Sequence, residues 1–384
     1  MYRIVYITIL IFISFVACTS KVEKLKKKNL EKAFQYRPIT ESEIADYRKA
    51  ILLKYDSILL RRGFNGSILI AKNGEILLED YHGYSNMQTK DTLTATTPFH
   101  LASVSKTFTA TAILKLCEEK KINLEDSIQV YFPAFPYHNI SIRMLLNHRS
   151  GLPNYIYAMT KFPEWKHKLA TNNDMLQFLI DKQPIWYGYP NRGFNYCNTN
   201  YALLALLIEK VTGQTYSKYL QDNIFSPLGM NHSFVFTIND SANYKPSYQP
   251  NNRPFPIESM DVIYGDKGIY STVRDMFLWD KALYNHAIIS DTTYEKAIAP
   301  SSFEHPGTHN YGMGWRLLTL PDGKIVFHNG WWHGNNNVFT RFIDDTATII
   351  ILGNKYNKAI YSGMKIGTVF KNSTKTEAQV PLDE

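Results

Sequence analysis

Between positions 44 and 59 the apolar residues Ile44, Tyr47, Ile51, Tyr55, Ile58 and Leu59 recur every three or four places, the spacing that gives a helix one buried stripe. Thr40 and Glu43 precede it as a capping box and Gly63 closes it, so an amphipathic helix leads into the fold. From Gly66 the period changes. Residues 66–71 and 75–81 are short runs rich in Ile and Leu on either side of Lys72-Asn73-Gly74, and Asn-Gly between such runs signals a tight hairpin because both positions accept positive φ. Near the other end, 314–320, 324–328, 338–343 and 346–352 read as strands, with Asp322-Gly323 and Asp344-Asp345 as turns. Strands gathered at both chain ends predict one antiparallel sheet of about five strands flanked by helices, an α/β arrangement of the α+β kind.

The middle of the chain reads differently. Helical patterns cover 142–147, 173–181, 201–211 and 217–225, with Pro and Gly punctuation around them and no internal repeat. The expected organisation is a discontinuous sheet domain, 40–100 with 261–370, and a helical domain, 101–260, inserted between its halves. A polar tail, 371–384, follows.

Ahead of this, Arg3 and an apolar run, 4–16, end at Ala17-Cys18. That run is short of the ~20 residues a bilayer span needs, so the expectation is an export signal, 1–17. Phe15-Val16-Ala17-Cys18 is similar to the lipobox of bacterial lipoproteins, which makes Cys18 the expected lipidated residue and the membrane an expected partner; a plainly cleaved signal or a short anchor is the alternative. The stretch after Cys18 holds six Lys against two Glu and accounts for much of the net charge of +8. As part of a tether, 18–39, it suits either anionic headgroups or open solvent. No aromatic residue is interleaved with it, so it gives no nucleic-acid reading. Cys117 and Cys197 are expected as two buried thiols, although an exported location permits a disulfide.

Chemistry concentrates on one stretch, 97–117. Phe108, Ala112, Ile113 and Leu116 recur at helical spacing with Lys115, Glu118 and Glu119 off that face, which puts Ser103 near a helix start. Residues three apart share a helix face, so the Ser103 hydroxyl stands beside the Lys106 amine while first-turn N–H groups remain unpaired. A nucleophile, a candidate base and an anion-friendly spot coincide. Ser362 and Lys365 repeat the spacing, so the pair needs company. Two further elements supply it: Tyr196-Cys197-Asn198 ahead of the helix pattern at Tyr201, and His328-Asn329-Gly330 on a strand.

In order and spacing these three resemble the serine β-lactamase and penicillin-binding-protein superfamily, in its Ser-x-x-Lys, Tyr-x-Asn, His/Lys-x-Gly branch of class C-like enzymes, esterases and D,D-peptidases. Phe64-Asn65-Gly66-Ser67, the block 145–153 (Leu-Leu-Asn-His-Arg-Ser-Gly-Leu-Pro), 225–230, 268–275 and 311–315 look like further blocks of that superfamily, and the likeness spans about 63–354. It implies a serine hydrolase in which Ser103 forms an acyl-enzyme with an ester, amide or D-amino-acid peptide. Lys106 and Tyr196 would share the proton transfers, with the acylation base open between them. A lysine serves as base only where burial or a nearby cation lowers its ordinary pKa of about 10.4. The backbone N–H groups of Ser103 and Trp331 would hold the oxyanion, Gly330 would let substrate lie against the strand, and Asn198 would bind the acyl side.

The chain departs from the β-lactamases of the superfamily it resembles at His328 and Asn329, where they carry Lys and a hydroxyl residue that bind the substrate carboxylate. A neutral imidazole and an amide replace a cation and a hydroxyl. Hydrolysis of ester, amide or peptide is therefore expected over β-lactam defence, with a β-lactamase and a non-turnover binding or sensing protein as the alternatives. Trp331, Trp332, Trp186, Tyr187 and Tyr189 either wall an acyl or sugar-bearing substrate or pack the fold. No cofactor is implied. Pro306-Gly307 breaks the His305-x-x-x-His309 spacing, and no Cys or carboxylate accompanies it or His328 with His333, so no metal is expected. The expected partner is a small-molecule or cell-wall peptide substrate.

Overall fold

Thr40 caps α1 (Glu41–Ile58) as its sequence requires: Thr40 Oγ1 accepts from Glu43 N at 3.2 Å, and the Glu43 carboxylate accepts from Thr40 N at 2.9 Å. The computed structural model describes residues 34–165, 168–239, 245–321 and 323–370; the leader with Cys18, Asp322 of the expected turn and the polar tail lie outside the described residues. Those from Pro38 onward form one unit.

Its centre is an antiparallel sheet of seven strands: β1 (Gly66–Lys72), β2 (Glu75–His82), β3 (His309–Tyr311), β4 (Arg316–Leu320), β5 (Gly323–Trp332), β6 (Asn335–Phe342) and β7 (Ala347–Gly353). The spatial order is β2-β1-β7-β6-β5-β4-β3, so the N-terminal hairpin pairs directly with the last strand, Ile68 opposite Ile351. Asn73 at φ 48° and Gly74 at φ 79° make the tight turn that Asn-Gly announced. Both faces of the sheet are covered, which explains runs such as Ile349-Ile350-Ile351-Leu352. Alternate residues Ile68, Ile70, Ile349 and Ile351 join Ile51 and Tyr55 of α1 and Ile360, while Leu69, Ile350 and Leu352 join the larger core that contains Phe108. Burying a side chain of that size contributes roughly 1.5–3 kcal/mol.

Six of these seven strands match runs read from the sequence; the structure adds β3 and lengthens β5 and β6. β3 is only three residues, too short and polar for periodicity to show, and exists by pairing Asn310 with Leu317. β5 runs ten residues, four beyond the expected end at His328, and β6 opens on three asparagines; the ladder Gly330 to Asn337 holds this polar part together. β4 pairs with β5 only as far as Phe327 opposite Arg316. From His328 onward β5 has lost that neighbour.

The expected helices in the middle are present as Ile142–Leu146, Asn172–Lys182, α3 (Asn198–Thr212) and Tyr216–Leu220 with a wider turn, Gln221–Phe225. Ser103 lies in a 3₁₀ turn, Ala102–Val104, that runs directly into α2 (Ser105–Glu118). α2 is buried nearly all round, including Ser105, Lys106, Thr107, Thr109 and Thr111. Thr109 satisfies its hydroxyl on the Gly265 carbonyl at 2.7 Å, the kind of partner a buried polar group requires. Cys117 and Cys197 are free thiols, Cys197 buried and Cys117 half-buried, and burial pushes both up to about 11. Among the described residues no helix is long and apolar enough to cross a membrane.

Candidate active site

The turn before α2 is held in an unfavourable shape. Ala102 has φ 49°, a left-handed conformation that costs a non-glycine residue on the order of 1 kcal/mol. Three bonds hold it: Leu101 N donates to the Ile269 carbonyl (2.8 Å), Ala102 N to His100 Nδ1 (3.2 Å), and Asn337 Nδ2 to the His100 carbonyl (2.9 Å). Burial pushes His100 down to about 3, with Lys267 and His333 adding to it against Asp261, so the ring stays neutral and Nδ1 stays an acceptor. The result fixes the backbone on either side of Ser103.

Lys106 is wholly buried, with its amine hydrogen-bonded to Ser103 Oγ (3.0 Å), Asn198 Oδ1 (2.8 Å) and the Asp266 carbonyl (2.8 Å). Its Nζ also stands 4.9 Å from the centre of the Tyr196 ring. Asp266 is itself braced, its carboxylate accepting from Tyr155 OH at 3.0 Å and facing Lys267 Nζ at 3.5 Å. Asn198 begins α3, so the loop carrying Tyr196 and the helix carrying Asn198 meet at the amine of α2.

His328 lies on the other side of Tyr196, ring centres 6.2 Å apart, and is fully buried. Nδ1 is 2.7 Å from the Asn329 carbonyl and therefore carries the proton, which leaves Nε2 to accept from Tyr311 OH at 3.2 Å. Burial first, then the charges of Arg316 and Lys106, hold this imidazole well below its ordinary pKa. Asn329 Oδ1 is buried without a hydrogen-bond partner among the described residues. Gly330 brings β5 against the turn: a Cβ there would lie 2.3 Å from the Leu101 carbonyl and 3.2 Å from Ser103 N. Trp331 follows, half exposed, at the end of β5 that has no β4 neighbour.

Gly330→Ala is thus expected to force β5 away from Ser103, since the obstructing atom is backbone and cannot turn aside. Turnover should fall about 10²- to 10³-fold, the size of losing one oxyanion donor, with the fold retained. Steady-state ester hydrolysis beside a melting curve checks it; a wild-type rate would remove the close approach from the account.

The structure thus gathers Ser103, Lys106, Tyr196, Asn198, His328 and Gly330, with Asn329 and Trp331 on the same strand; Cys18 lies outside the described residues. The aromatic residues divide. Trp332 donates to Asp261 Oδ1 (2.7 Å) beneath Lys267, and Trp186 packs edge-on to Tyr137, whereas Tyr187 and Tyr189 are exposed.

Sequence reasoning missed two residues. Arg316 places its guanidinium 5.1 Å from the Tyr196 ring, a cation beside the neutral His328. The signal was the Asp322-Gly323 hairpin, which sets position 316 opposite 327. The His148 ring packs against Tyr196 at a tilt, centres 4.4 Å apart, and its Nδ1 accepts from Cys197 N at 3.1 Å and from Asn200 Nδ2 at 3.2 Å. Burial, with Lys106 and His328 next, holds it well below its ordinary pKa, so it templates the Tyr196 loop as a neutral ring.

A family model described as Beta-lactamase matches residues 61–359. A penicillin-binding protein of Bacillus subtilis (strain 168) is 35% identical over 332 residues, covering 82% of this chain and 73% of that protein. A second, putative penicillin-binding protein of the same organism is 28% identical over 92% of this chain and 83% of its own length. Among solved structures, a penicillin binding protein from Bacillus halodurans superposes with a TM-score of 0.72 at 26% identity, covering 82% of this chain and 98% of that one. A D-amino acid amidase from Ochrobactrum anthropi SV3 does so with a TM-score of 0.66 at 26% identity, over 81% and 97%. With this sheet, this Ser-x-x-Lys turn and these relatives, the chain belongs to the β-lactamase family of serine hydrolases and penicillin-binding proteins.

Proposed function

We propose that the protein is a serine acyl hydrolase that opens an ester, amide or D-amino-acid peptide bond through an acyl-enzyme on Ser103. The observation that carries this is the set of groups around the Lys106 amine. Asn198 Oδ1 and the Asp266 carbonyl can only accept. The amine donates to all three, and of these three only the serine hydroxyl also carries a proton, which the amine can take once it has given up one of its own.

Ser103 Oγ attacks the carbonyl carbon as its proton passes to Lys106 Nζ. The oxyanion rests on the N–H groups of Ser103 and Trp331, whose strands of backbone Gly330 keeps close. The C–O or C–N bond then breaks, and the leaving group takes a proton from the Lys106–Tyr196 pair. Water, losing a proton to the same pair, releases the acid and restores Ser103. Since His328 is neutral, Arg316 is the cation for a substrate carboxylate near Tyr196. A D-amino-acid peptide, which keeps a free carboxylate, fits this charge; a D-amino-acid amide, suggested by the name of the amidase relative, would bind without it.

Intact mass spectrometry after exposure to a fluorophosphonate, a penicillin and a p-nitrophenyl ester tests the reading. The expected result is an adduct on Ser103 with at least one probe, absent in Ser103→Ala, and turnover of the ester. An adduct that persists in the variant would overturn it, as would stable labelling with no turnover of any substrate.

A further inference from the structure

The segment that ends on Tyr196 hangs on a rail formed by residues 148–151. Tyr187 N and Gly188 N donate to the Gly151 carbonyl (2.9 and 3.2 Å), Asn191 N to the Arg149 carbonyl (2.7 Å) and Asn195 N to the His148 carbonyl (2.8 Å). Gly151, at φ 71°, lets the two backbones meet, for a Cβ there would lie 2.1 Å from the Gly188 carbonyl.

The Arg149 side chain ties this segment to a second one. Nε donates to Asn191 Oδ1 (2.8 Å), Nη2 to the Asn191 carbonyl (3.0 Å), and Nη1 to Ser302 Oγ (3.2 Å) and the Ser301 carbonyl (3.4 Å), while the Glu304 carboxylate pairs with Nη1. Only 12% of this side chain is exposed. A planar, five-donor fork is suited to holding several acceptors in fixed directions, and here it holds two surface segments together instead of bracing a core.

What those segments present is aromatic and exposed: Tyr187, Tyr189 and Phe194 on one, Phe303 on the other. They are continuous with the site. Phe194 packs 5.4 Å from Tyr311, whose hydroxyl bonds His328 and whose ring lies 6.3 Å from Tyr196. The second segment is bonded to the same strand, Ser301 Oγ donating to the Tyr311 carbonyl.

We propose that Arg149 is a positioning residue for an aromatic subsite that receives the departing half of the substrate, so that the enzyme prefers leaving groups with an aromatic or apolar body. This rests on the proposed acyl-enzyme chemistry. The leaving atom must stand at the Lys106–Tyr196 pair to be protonated, and the acyl side is taken by Asn198. The body of the leaving group therefore extends past Tyr311 to Phe194.

Two substrate series on the purified chain test it: one acyl group with leaving groups growing from methoxide to naphtholate, and one leaving group with acyl groups growing. Taking the ratio of variant to wild type cancels the intrinsic reactivity of each ester. For Arg149→Met, kcat/KM for the aryl leaving groups should fall about ten-fold through KM, the scale of one or two lost ring contacts, with methyl esters within about two-fold. Phe194→Ala, which leaves the clasp intact, should reproduce the bias and stands in where Arg149→Met does not fold. A uniform loss across both series, or a loss that follows the acyl group, overturns the proposal. So does unchanged selectivity with lost sedimentation on phosphatidylglycerol vesicles, which would make the rim a lipid contact. Ser103 labelling by fluorophosphonate separates the two readings: normal labelling with a flat leaving-group series sinks this inference alone, whereas no labelling of the wild type sinks the acyl-enzyme.

Discussion

Lys106→Met is expected to lower kcat by about 10³- to 10⁴-fold while leaving KM within a few-fold, because the residue acts on the proton of Ser103 and not on the substrate. Met matches the stem in length and volume, so the buried space stays filled. It leaves the Asn198 amide oxygen and the Asp266 carbonyl without their donor, at roughly 1–3 kcal/mol each, and removes the penalty of burying an amine, so the melting temperature should move only modestly. Tyr196→Phe is the informative partner. It keeps the ring against Lys106 Nζ and His148 and removes only the phenol, so acylation by a reactive p-nitrophenyl ester, whose leaving group needs no proton, should suffer far less than hydrolysis of an alkyl amide. Burst and steady-state kinetics on both substrates decide the assignment. If Lys106→Met kept a tenth of the wild-type burst rate and Tyr196→Phe lost it, the acylation base would be the phenol.

How far the sequence showed this site depends on whether each demand was local. The Asn73-Gly74 turn, the Thr40 cap and the helix at Ile142 were legible because each is written in a few adjacent residues that tolerate one backbone shape. The apolar strands β1 and β7 were legible for the same reason. The far half of β5 was not, since Asn329-Gly330-Trp331-Trp332 shows no alternation and is a strand only because Asn335, Asn336 and Asn337 pair with it. Lys106 illustrates the limit in another way. Its spacing from Ser103 placed the amine on the correct face, but its complete burial comes from Asp266 and Asn198, 160 and 92 residues away. His148 reaches the site by tertiary contact, with no spacing to distinguish it from a packed histidine, and the hairpin that sets Arg316 opposite Phe327 does not show that the pair lies beside Tyr196. Resemblance to the family named the block around His148 without giving its task, which is to hold the Cys197 amide and the Tyr196 ring.

Acidification from pH 7 to pH 5 is expected to destabilise the protein, by about 2 kcal/mol from His100 alone, a sizeable part of the 5–15 kcal/mol that a folded chain typically has. Among the described residues three histidines are buried with their pKa held down: His100, pushed down to about 3, and His148 and His328, both well below their ordinary value, in each case by burial first. In the unfolded chain each titrates near 6.5, so below that pH the unfolded state binds more protons than the native one. Stability therefore rises with pH through this window and is lost as pH falls below about 6.5, His100 contributing about 2 kcal/mol by pH 5 and His148 and His328 acting in the same direction. Carboxylates held low, such as Asp261 and Glu304, act in the same direction only further down, as pH falls through and below the ordinary carboxylate range near 4. Thermal melts at pH 7 and pH 5 at constant ionic strength should differ by at least a few degrees, the pH 5 melt being the lower. His100→Asn puts an amide oxygen where Nδ1 accepts from Ala102 N, so it keeps the turn before Ser103 and should remove the share of the pH effect that His100 carries. Equal melting temperatures at the two pH values would mean that these rings take up protons in the folded protein. The neutral His328 beside Arg316 and Lys106, on which the substrate reading depends, would then be wrong.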